Sequence, residues 1–345
     1  MSAGVRRAST VGAVALALIV FGLFPLVVTD PAATSIAVFT LIFMVATTAW
    51  NIFSGYSGYL ALGHAVFFGC GGYAVALAAR DWHVKGGWTV FALLPFGGLV
   101  AAAVAIPVGL IALRVRRHTF VVITIAIFFI FQLAAFNLHF TGGTSGILLP
   151  FAPFSVASYN NPFYYVALVI LVLTVALSWG VRRSRFGLQL LAIRDDEDRA
   201  RGLGVKTGRV KLSAFVISAL PIGMVGGLYF YFVGQIFPQF AFDPLFDISL
   251  ALMGFLGGIG TLTGPLLGAL VLESMQQYLT QRFSGTGTYL IAYGVLFLAV
   301  ILLLPRGVIP TISQWIRDRR AKRAGGTEDT SREQAVRGGV AGVAR

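Results

Sequence analysis

RRSRFGLQLLAIRDDEDRARGLGVKTGRVK, residues 182–211, runs without a break into LSAFVISALPIGMVGGLYFYF, residues 212–232. The first string is the only long, densely charged segment inside a chain that is 57% hydrophobic and 11% charged. The second string carries no charge and is long enough to cross a bilayer as a helix. A charged segment joined directly to a membrane span is a place where a soluble partner can grip a membrane protein.

The rest of the chain has the same character. Its mean hydropathy is +0.84, far too apolar for a soluble domain of 345 residues, so the excess must face lipid. Several windows of 18 residues or more hold no charge. The 41 glycines suit close helix packing and broken helices in a membrane. The net charge of +13 falls in short clusters between apolar spans, as cytoplasmic loops do under the positive-inside bias, and does not form the single basic face that nucleic-acid binding needs. The lone cysteine, Cys70 in GCGGY, excludes an intramolecular disulfide and a multi-cysteine metal site, and reads as a small buried hydrophobe.

The spacing predicts a first, uncleaved span over 11–28 after Arg6 and Arg7, a turn at Asp30-Pro31, and a second span over 33–50. Further spans are expected at 59–79, 88–113 (kinked at Pro95 and Pro107), 119–136, 163–181 and 212–233. RVRRH at 114–118 marks the cytoplasmic side. The uncharged loop 137–162 and the lysine- and arginine-free stretch 234–247 mark the outside. The basic tail after Pro305 belongs inside, so the last span, 288–304, must start outside. Residues 248–279 must therefore leave one side and return to it, in a length short for two full crossings, with GGIGTLTGP (257–265) breaking the middle. Two half-helices meeting near mid-membrane fit this, and non-helical backbone there survives only where protein buries it or a wet cavity adjoins it. Of the 23 lysines and arginines up to position 323, 20 fall inside and three outside. The expected architecture is an all-α polytopic membrane protein with about eight transmembrane helices plus a glycine-interrupted half-helix hairpin. Residues 1–316 form its membrane domain, and a basic, disordered cytoplasmic tail covers 317–345.

Two groups of residues stand out. The glycine-interrupted segments 51–72 and 248–268 echo one another across the two halves. Paired interruptions of this kind point to a transporter's substrate path, which singles out Asn51, Ser54, Gly55, Gly58 and His64 in the first segment. In the second it singles out Gly257, Gly258, Gly260, Thr261 and Gly264. The second group is Arg194, Asp195, Asp196, Glu197, Asp198, Arg199, Ala200, Arg201, Gly202, Leu203 and Gly204. Its alternating charges, good helix formers and terminal glycines read as a short helix on the membrane surface, with Ile193, Ala200 and Leu203 as apolar contacts. Glu273 is placed to face the path or to pair with Arg282.

Three stretches carry a resemblance: TTAWNIFSGYSGYLALGHAVFFGCGGY (47–73), RFGLQLLAIRDDEDRARGLGVKTGRVKLSAFVISALPIGMVGGLY (185–229) and SLALMGFLGGIGTLTGPLLGALVLE (249–273). In this order and spacing the chain resembles the permeases of ATP-binding-cassette importers, most closely the LivM-type permease of branched-chain amino acid uptake. The resemblance implies that 194–204 is a coupling helix seated in a cleft of an ATPase subunit, its Ala–x3–Gly element falling on Ala200 and Gly204. Arg199 departs from the small residue frequent in relatives. It also implies a bacterial inner-membrane location with both termini cytoplasmic, and a second, related permease as heterodimer partner. Two ATP-binding subunits and an external solute-binding protein complete the expected assembly. Alternating access would be driven by ATP and Mg²⁺ held on the partner subunits, and similar permeases resemble importers of urea and of other amino or aromatic acids. The chain shows no nucleotide site of its own: Gly204-Val-Lys-Thr lacks the glycine before Lys206 that a P-loop requires, and GGIGTLTG does not match G-x-G-x-x-G.

Rival classes fare worse. A Mg²⁺-dependent transferase would use RDDED (194–198) and DPLFD (243–247) together. The topology puts these on opposite faces, and Arg194, Arg199 and Arg201 compete for the carboxylates. A stand-alone proton-coupled carrier needs a relay of ionisable groups, and His64 with Glu273 does not make one.

Overall fold

The computed structural model describes residues 19–155, 158–283 and, beyond them, 294, 295 and 298. The expected first span lies partly outside the described residues, and the last span and basic tail lie almost wholly outside them. After a helical segment at 19–27, Asp30 caps helix α1, Pro31–Trp50, by accepting from the amides of Ala32 and Ala33, with Pro31 in the first turn. A π-helical turn, Asn51–Gly55, prolongs α1. Helix α2 spans Ala65–Asp81, and a single turn at Trp88–Phe91 leads into α3, Leu94–Ala112. Helices α4, Arg117–Asn137, and α5, Asn160–Arg183, follow. The charged segment folds into α6, Arg185–Asp195, and α7, Glu197–Gly202, before α8, Thr207–Val233. The hairpin is α9, Pro244–Gly257, and α10, Gly264–Phe283. A two-residue antiparallel pairing, β1 Ile147–Leu148 with β2 Gln235–Ile236, ties two loops together at the opposite end of the bundle from α6 and α7.

Six stretches among the described residues are long and apolar enough to cross a membrane. The protein is an all-α polytopic membrane protein. Its core is made where backbones approach closely: α8 packs on α2 and α3, and α1 on α5 and α10. A Cβ on Gly71 would lie 2.3 Å from Gly223 backbone, and one on Gly97 would lie 2.9 Å from the Gly71 carbonyl oxygen. Small residues therefore set the α2–α3–α8 contact, where lipid supplies no hydrophobic drive for helices to associate. Around it, α4 turns Val122, Ile130 and Leu133 outward.

Several expectations are corrected. The third span does not begin at 59. Residues 58–64 are non-helical, and α2 starts at Ala65. Trp50 Nε1 donates to the Ala61 carbonyl at 2.9 Å, while Ser54 Oγ accepts from the Ala61 amide and Thr124 Oγ1 from the Leu62 amide. Side chains thus supply the partners that a buried, non-helical backbone must find. Pro95 sits in the first turn of α3 rather than kinking it, so only Pro107 lies inside that helix. Asp247 is not in an outer loop but inside α9, 2% exposed. The break between α9 and α10 does not sit at mid-membrane. It lies at the end of the bundle that carries Arg117, Arg182 and the charged segment, because the Gly260 carbonyl accepts from Arg182 at the foot of α5. From the break α10 runs back along α1, its Ser274 meeting Thr40 about midway along the Pro31–Gly55 stretch.

Candidate functional site

The charged segment forms two helices rather than one, because Asp196 ends the first and begins the second. Ser184 caps α6 through the Gly187 amide, and Asp196, with extended backbone, caps α7 through the Arg199 amide at 3.0 Å. The end of α7 is closed by Gly204 in the left-handed region, φ +86°. There the Val205 amide donates to the Ala200 carbonyl and the Gly204 amide to the Arg201 carbonyl, a Schellman arrangement that favours glycine. Ile193 and Ala200 face inward as expected, at 0% and 2% exposed. Leu203 instead faces outward, 86% exposed. Asp195, Asp198, Arg199, Arg201, Gly202 and Gly204 are exposed with it.

The inward face of α7 is fastened by ions. Glu197 Oε1 takes Lys211 Nζ at 2.7 Å and Arg201 at 3.3 Å, while its other oxygen accepts from the Tyr59 hydroxyl. Lys211 also donates to the Tyr59 oxygen at 3.0 Å and stands 4.2 Å from the ring centroid. Burial alone would raise the Glu197 carboxyl, but hydrogen bonds from Lys211 and Tyr59 and the ammonium charge outweigh it and hold its pKa below the ordinary value. Lys211 is itself 3% exposed, so this is a paired buried cation in the first turns of α8. One carboxylate thereby joins α7, the span that follows it, and the first glycine-rich interruption.

The two interruptions meet. Asn51 Nδ2 donates to the Thr261 carbonyl at 2.9 Å, and its Oδ1 accepts from the Gly260 amide at 2.8 Å. A single side-chain amide thus satisfies both a donor and an acceptor of the second break. Thr261 Oγ1 donates to the Gly258 carbonyl and accepts from the Gly264 amide, starting α10. Three arginines close this end. Arg194 donates to the Gly55 carbonyl at 3.0 Å, and Arg182 to the Gly260 carbonyl at 3.0 Å. Arg117 donates to the carbonyls of Ile193 and Arg194, each at 2.7 Å, capping the C-terminal turn of α6 with a cation.

Of the residues singled out in the sequence, Asn51, Gly55, Gly58, Gly260 and Thr261 come together here, as a direct contact without open space. Gly257 and Gly264 pack backbone to backbone beside them, with Gly258 at the turn. Ser54 serves the backbone of 58–64 instead. His64 lies deeper, at the start of α2. Its amide and that of Ala65 donate to the Asp247 carboxylate, at 2.8 Å and 3.2 Å, so Asp247 caps α2 from another helix. The His64 ring joins Ser218 at 3.1 Å among Phe53, Phe67 and Phe215. Glu273 accepts from Gln277, not from Arg282. Asp196, Glu197, Asp243 and Asp247 are each committed to a separate cap or ion pair, so the two acidic strings do not converge on one ion.

Tyr59, Lys211, Arg117, Arg182 and Asp247 were not assigned roles from sequence. A lysine at the foot of an apolar span and an arginine closing one are visible signals, but both read equally well as topology markers. An apolar groove lined by Phe21, Phe24, Ile36, Tyr164 and Leu270 reaches neither interruption.

A family model for the permease component of branched-chain amino acid transport systems matches residues 32–304. The chain is 29% identical over 304 residues to the LivM high-affinity branched-chain amino acid transport system permease protein of Escherichia coli, covering 80% of this chain and 69% of that protein. A LivH permease protein of Methanocaldococcus jannaschii, a probable branched-chain amino acid transporter component, is 24% identical over 161 residues, 45% of this chain and 50% of its own length. The fructose import permease protein FrcC of Rhizobium meliloti is 29% identical over 166 residues, 46% of this chain and 43% of its own. No solved structure matches.

Proposed function

The chain belongs to the family of permease components of branched-chain amino acid transport systems, and we propose that it is the LivM-type subunit of an importer that carries branched-chain amino acids into the cytoplasm on ATP hydrolysed by other subunits. It would pair with a second permease, receive solute from an external binding protein and rest on two ATP-binding subunits that hold ATP and Mg²⁺. The membrane would be the bacterial inner membrane, with both termini and the charged segment in the cytoplasm.

One observation carries this reading: the two-faced build of α7. Its inner face is tied to α8 and to the first interruption through Glu197, Ala200 and Lys211, and its outer tip offers Arg199, Gly202, Leu203 and Gly204 to solvent. A leucine 86% exposed beside a left-handed glycine packs little against the described residues, and suits a cleft on a soluble partner. A push on that tip passes along Lys211 into α8 and along Tyr59 into the glycine-rich junction. The contact of Asn51 with Gly260 and Thr261 is then the shut end of the solute path, with Asn51, Gly55, Gly58, Gly257, Gly258, Gly260, Thr261 and Gly264 around it, and Ser54 and His64 above.

The test is Leu203→Glu in the assembled transporter. Thermal stability of the chain should stay within about 0.5 kcal/mol of wild type, as for an exposed substitution, while the ATP-binding subunits dissociate and ATP-driven leucine uptake into vesicles stops. Unchanged uptake and unchanged subunit association would remove the docking role from α7.

A further inference from the structure

We propose that Arg194 is the latch of the solute path: its guanidinium, borne on the last turn of α6, holds the two glycine interruptions against each other, and partner-driven movement of the charged segment opens them by withdrawing it. This deepens the transport reading above and rests on it for the source of the movement.

The geometry is specific. Arg194 reaches from the charged segment to the Gly55 carbonyl of the first interruption at 3.0 Å. A Cβ on Gly58 would lie 3.0 Å from its Cγ, and one on Gly260 would lie 2.0 Å from its Nη1. The arginine is therefore seated between both interruptions, in a space that only glycine at 260 leaves free. Gly260 has φ +77°, a backbone region that glycine enters at no steric cost. Elsewhere in the charged segment, Glu197 and Lys211 bond only the Tyr59 hydroxyl of the first interruption. Arg182 completes the seal from the foot of α5, on the Gly260 carbonyl.

Arg194 also sits where the fixed part of the charged segment meets the part that a partner would move. Its own carbonyl and that of Ile193 are gripped by Arg117 of α4, and Asp196, two residues on, is the hinge between the two helices. Tilting α7 about Asp196 pulls on the turn that carries the latch. A guanidinium donating to a carbonyl makes a strong, directional hold that a small rotation breaks. Once it is gone, the bridges left between the interruptions are the Asn51 amide and Arg182, which donates to the Gly260 carbonyl and stands 5.8 Å from the Tyr56 ring centroid. Arg194 is thus a positioning residue, not one that touches solute by this geometry.

The test uses the assembled transporter in membranes, with Cys70→Ala to remove the native thiol and Ile259→Cys as a half-buried reporter in the second break. The measurement is the rate of labelling by a hydrophilic maleimide. Arg194→Met keeps the stem and removes the donor, so labelling should rise on the order of tenfold, the population shift that follows loss of one charged hydrogen bond. In the Arg194-containing protein a non-hydrolysable ATP analogue should raise labelling similarly, and in the Met variant it should add nothing. Labelling that Arg194→Met leaves unchanged, or a nucleotide response that persists in full in that variant, overturns the latch. If labelling rises with Arg194→Met but nucleotide never alters it in the parent, the latch stands and the ATP-driven reading falls. Should the Met variant not accumulate, Arg194→Lys decides: its shorter stem withdraws the donor from Gly55, so labelling must exceed the parent's, and equality overturns the proposal.

Discussion

The two glycine interruptions do opposite jobs at one contact. The first, at 51–64, works mostly through side chains: Asn51 bridges, Ser54 supports the non-helical stretch and Tyr59 grips Glu197, while its Gly55 carbonyl takes Arg194. The second, at 257–264, offers backbone to its neighbours, namely the amide and carbonyl of Gly260 and the Thr261 carbonyl, while its Thr261 hydroxyl bonds only within the break. A side-chain-bearing surface can be tuned by substitution, whereas a backbone surface tolerates only what leaves its path free. The difference explains why similar glycine-rich strings are not interchangeable, and it can be broken or sharpened experimentally.

The largest effect should come from Asn51→Leu. It strands the Gly260 amide and the Thr261 carbonyl, each at a cost of about 1–3 kcal/mol, so thermal unfolding in detergent should shift strongly down. Asn51→Asp keeps the acceptor and loses the donor, and should fall between. Next is Gly260→Ala, which asks a Cβ to share the space of Arg194 and to adopt a left-handed backbone. About 1–2 kcal/mol is expected for the backbone and about 1–3 kcal/mol for overpacking, with transport lost along with it. Gly55→Ala should cost less in backbone terms, because Gly55 lies in a π-helical turn without positive φ, but its Cβ would displace the Asn51 side chain and so forfeit part of the Asn51 bridge.

Glu197→Gln should cost about 1.5–3 kcal/mol, the worth of hydrogen bonds to a charged group. Its pH signature follows from the lowered pKa. The folded form holds the carboxylate below its ordinary value of 4.5, so the stabilisation is complete above that pH and is lost as pH falls through the folded-state value. The melting temperature of the wild type should thus drop more steeply than that of Glu197→Gln below about pH 4.5, and the two should run parallel above pH 6. Parallel curves at acid pH would show that the ion pair with Lys211 does not form. The smallest effect is Tyr59→Phe, about 1 kcal/mol, because it removes the hydroxyl that bonds Glu197 and Lys211 but leaves their ion pair in place, measured by the same unfolding.

Much of the fold was legible. The spans from 88 to 233 stand within a few residues of where hydropathy and charge place them, because a bilayer-crossing helix needs only length and apolarity, which are local properties. The return of the hairpin to its own side followed from counting crossings. Less legible was where that hairpin turns. GGIGTLTGP announces a break, but its depth depends on Arg182 reaching Gly260, a contact between residues far apart in the chain. Which way Leu203 faces was hard to read for a related reason. Amphipathicity over six residues does not say which face is tied down, and the tie is Glu197 to Lys211, fourteen positions away. Asp247 looked external because it was grouped by charge with Asp243, whereas its carboxylate is stabilised inside by the amides that open α2.

Composition and the order of apolar and charged stretches determined by themselves that this is a polytopic helical protein, which strings break its helices, and that one charged segment stands apart. These are consequences of transferring each stretch between water and lipid, a cost paid residue by residue. Tertiary structure alone decided that the two breaks touch, that an asparagine and three arginines close the contact, and that a single glutamate fastens the charged segment to it. Those choices rest on buried donors and acceptors finding partners across the fold, and no local pattern encodes which partner each will find.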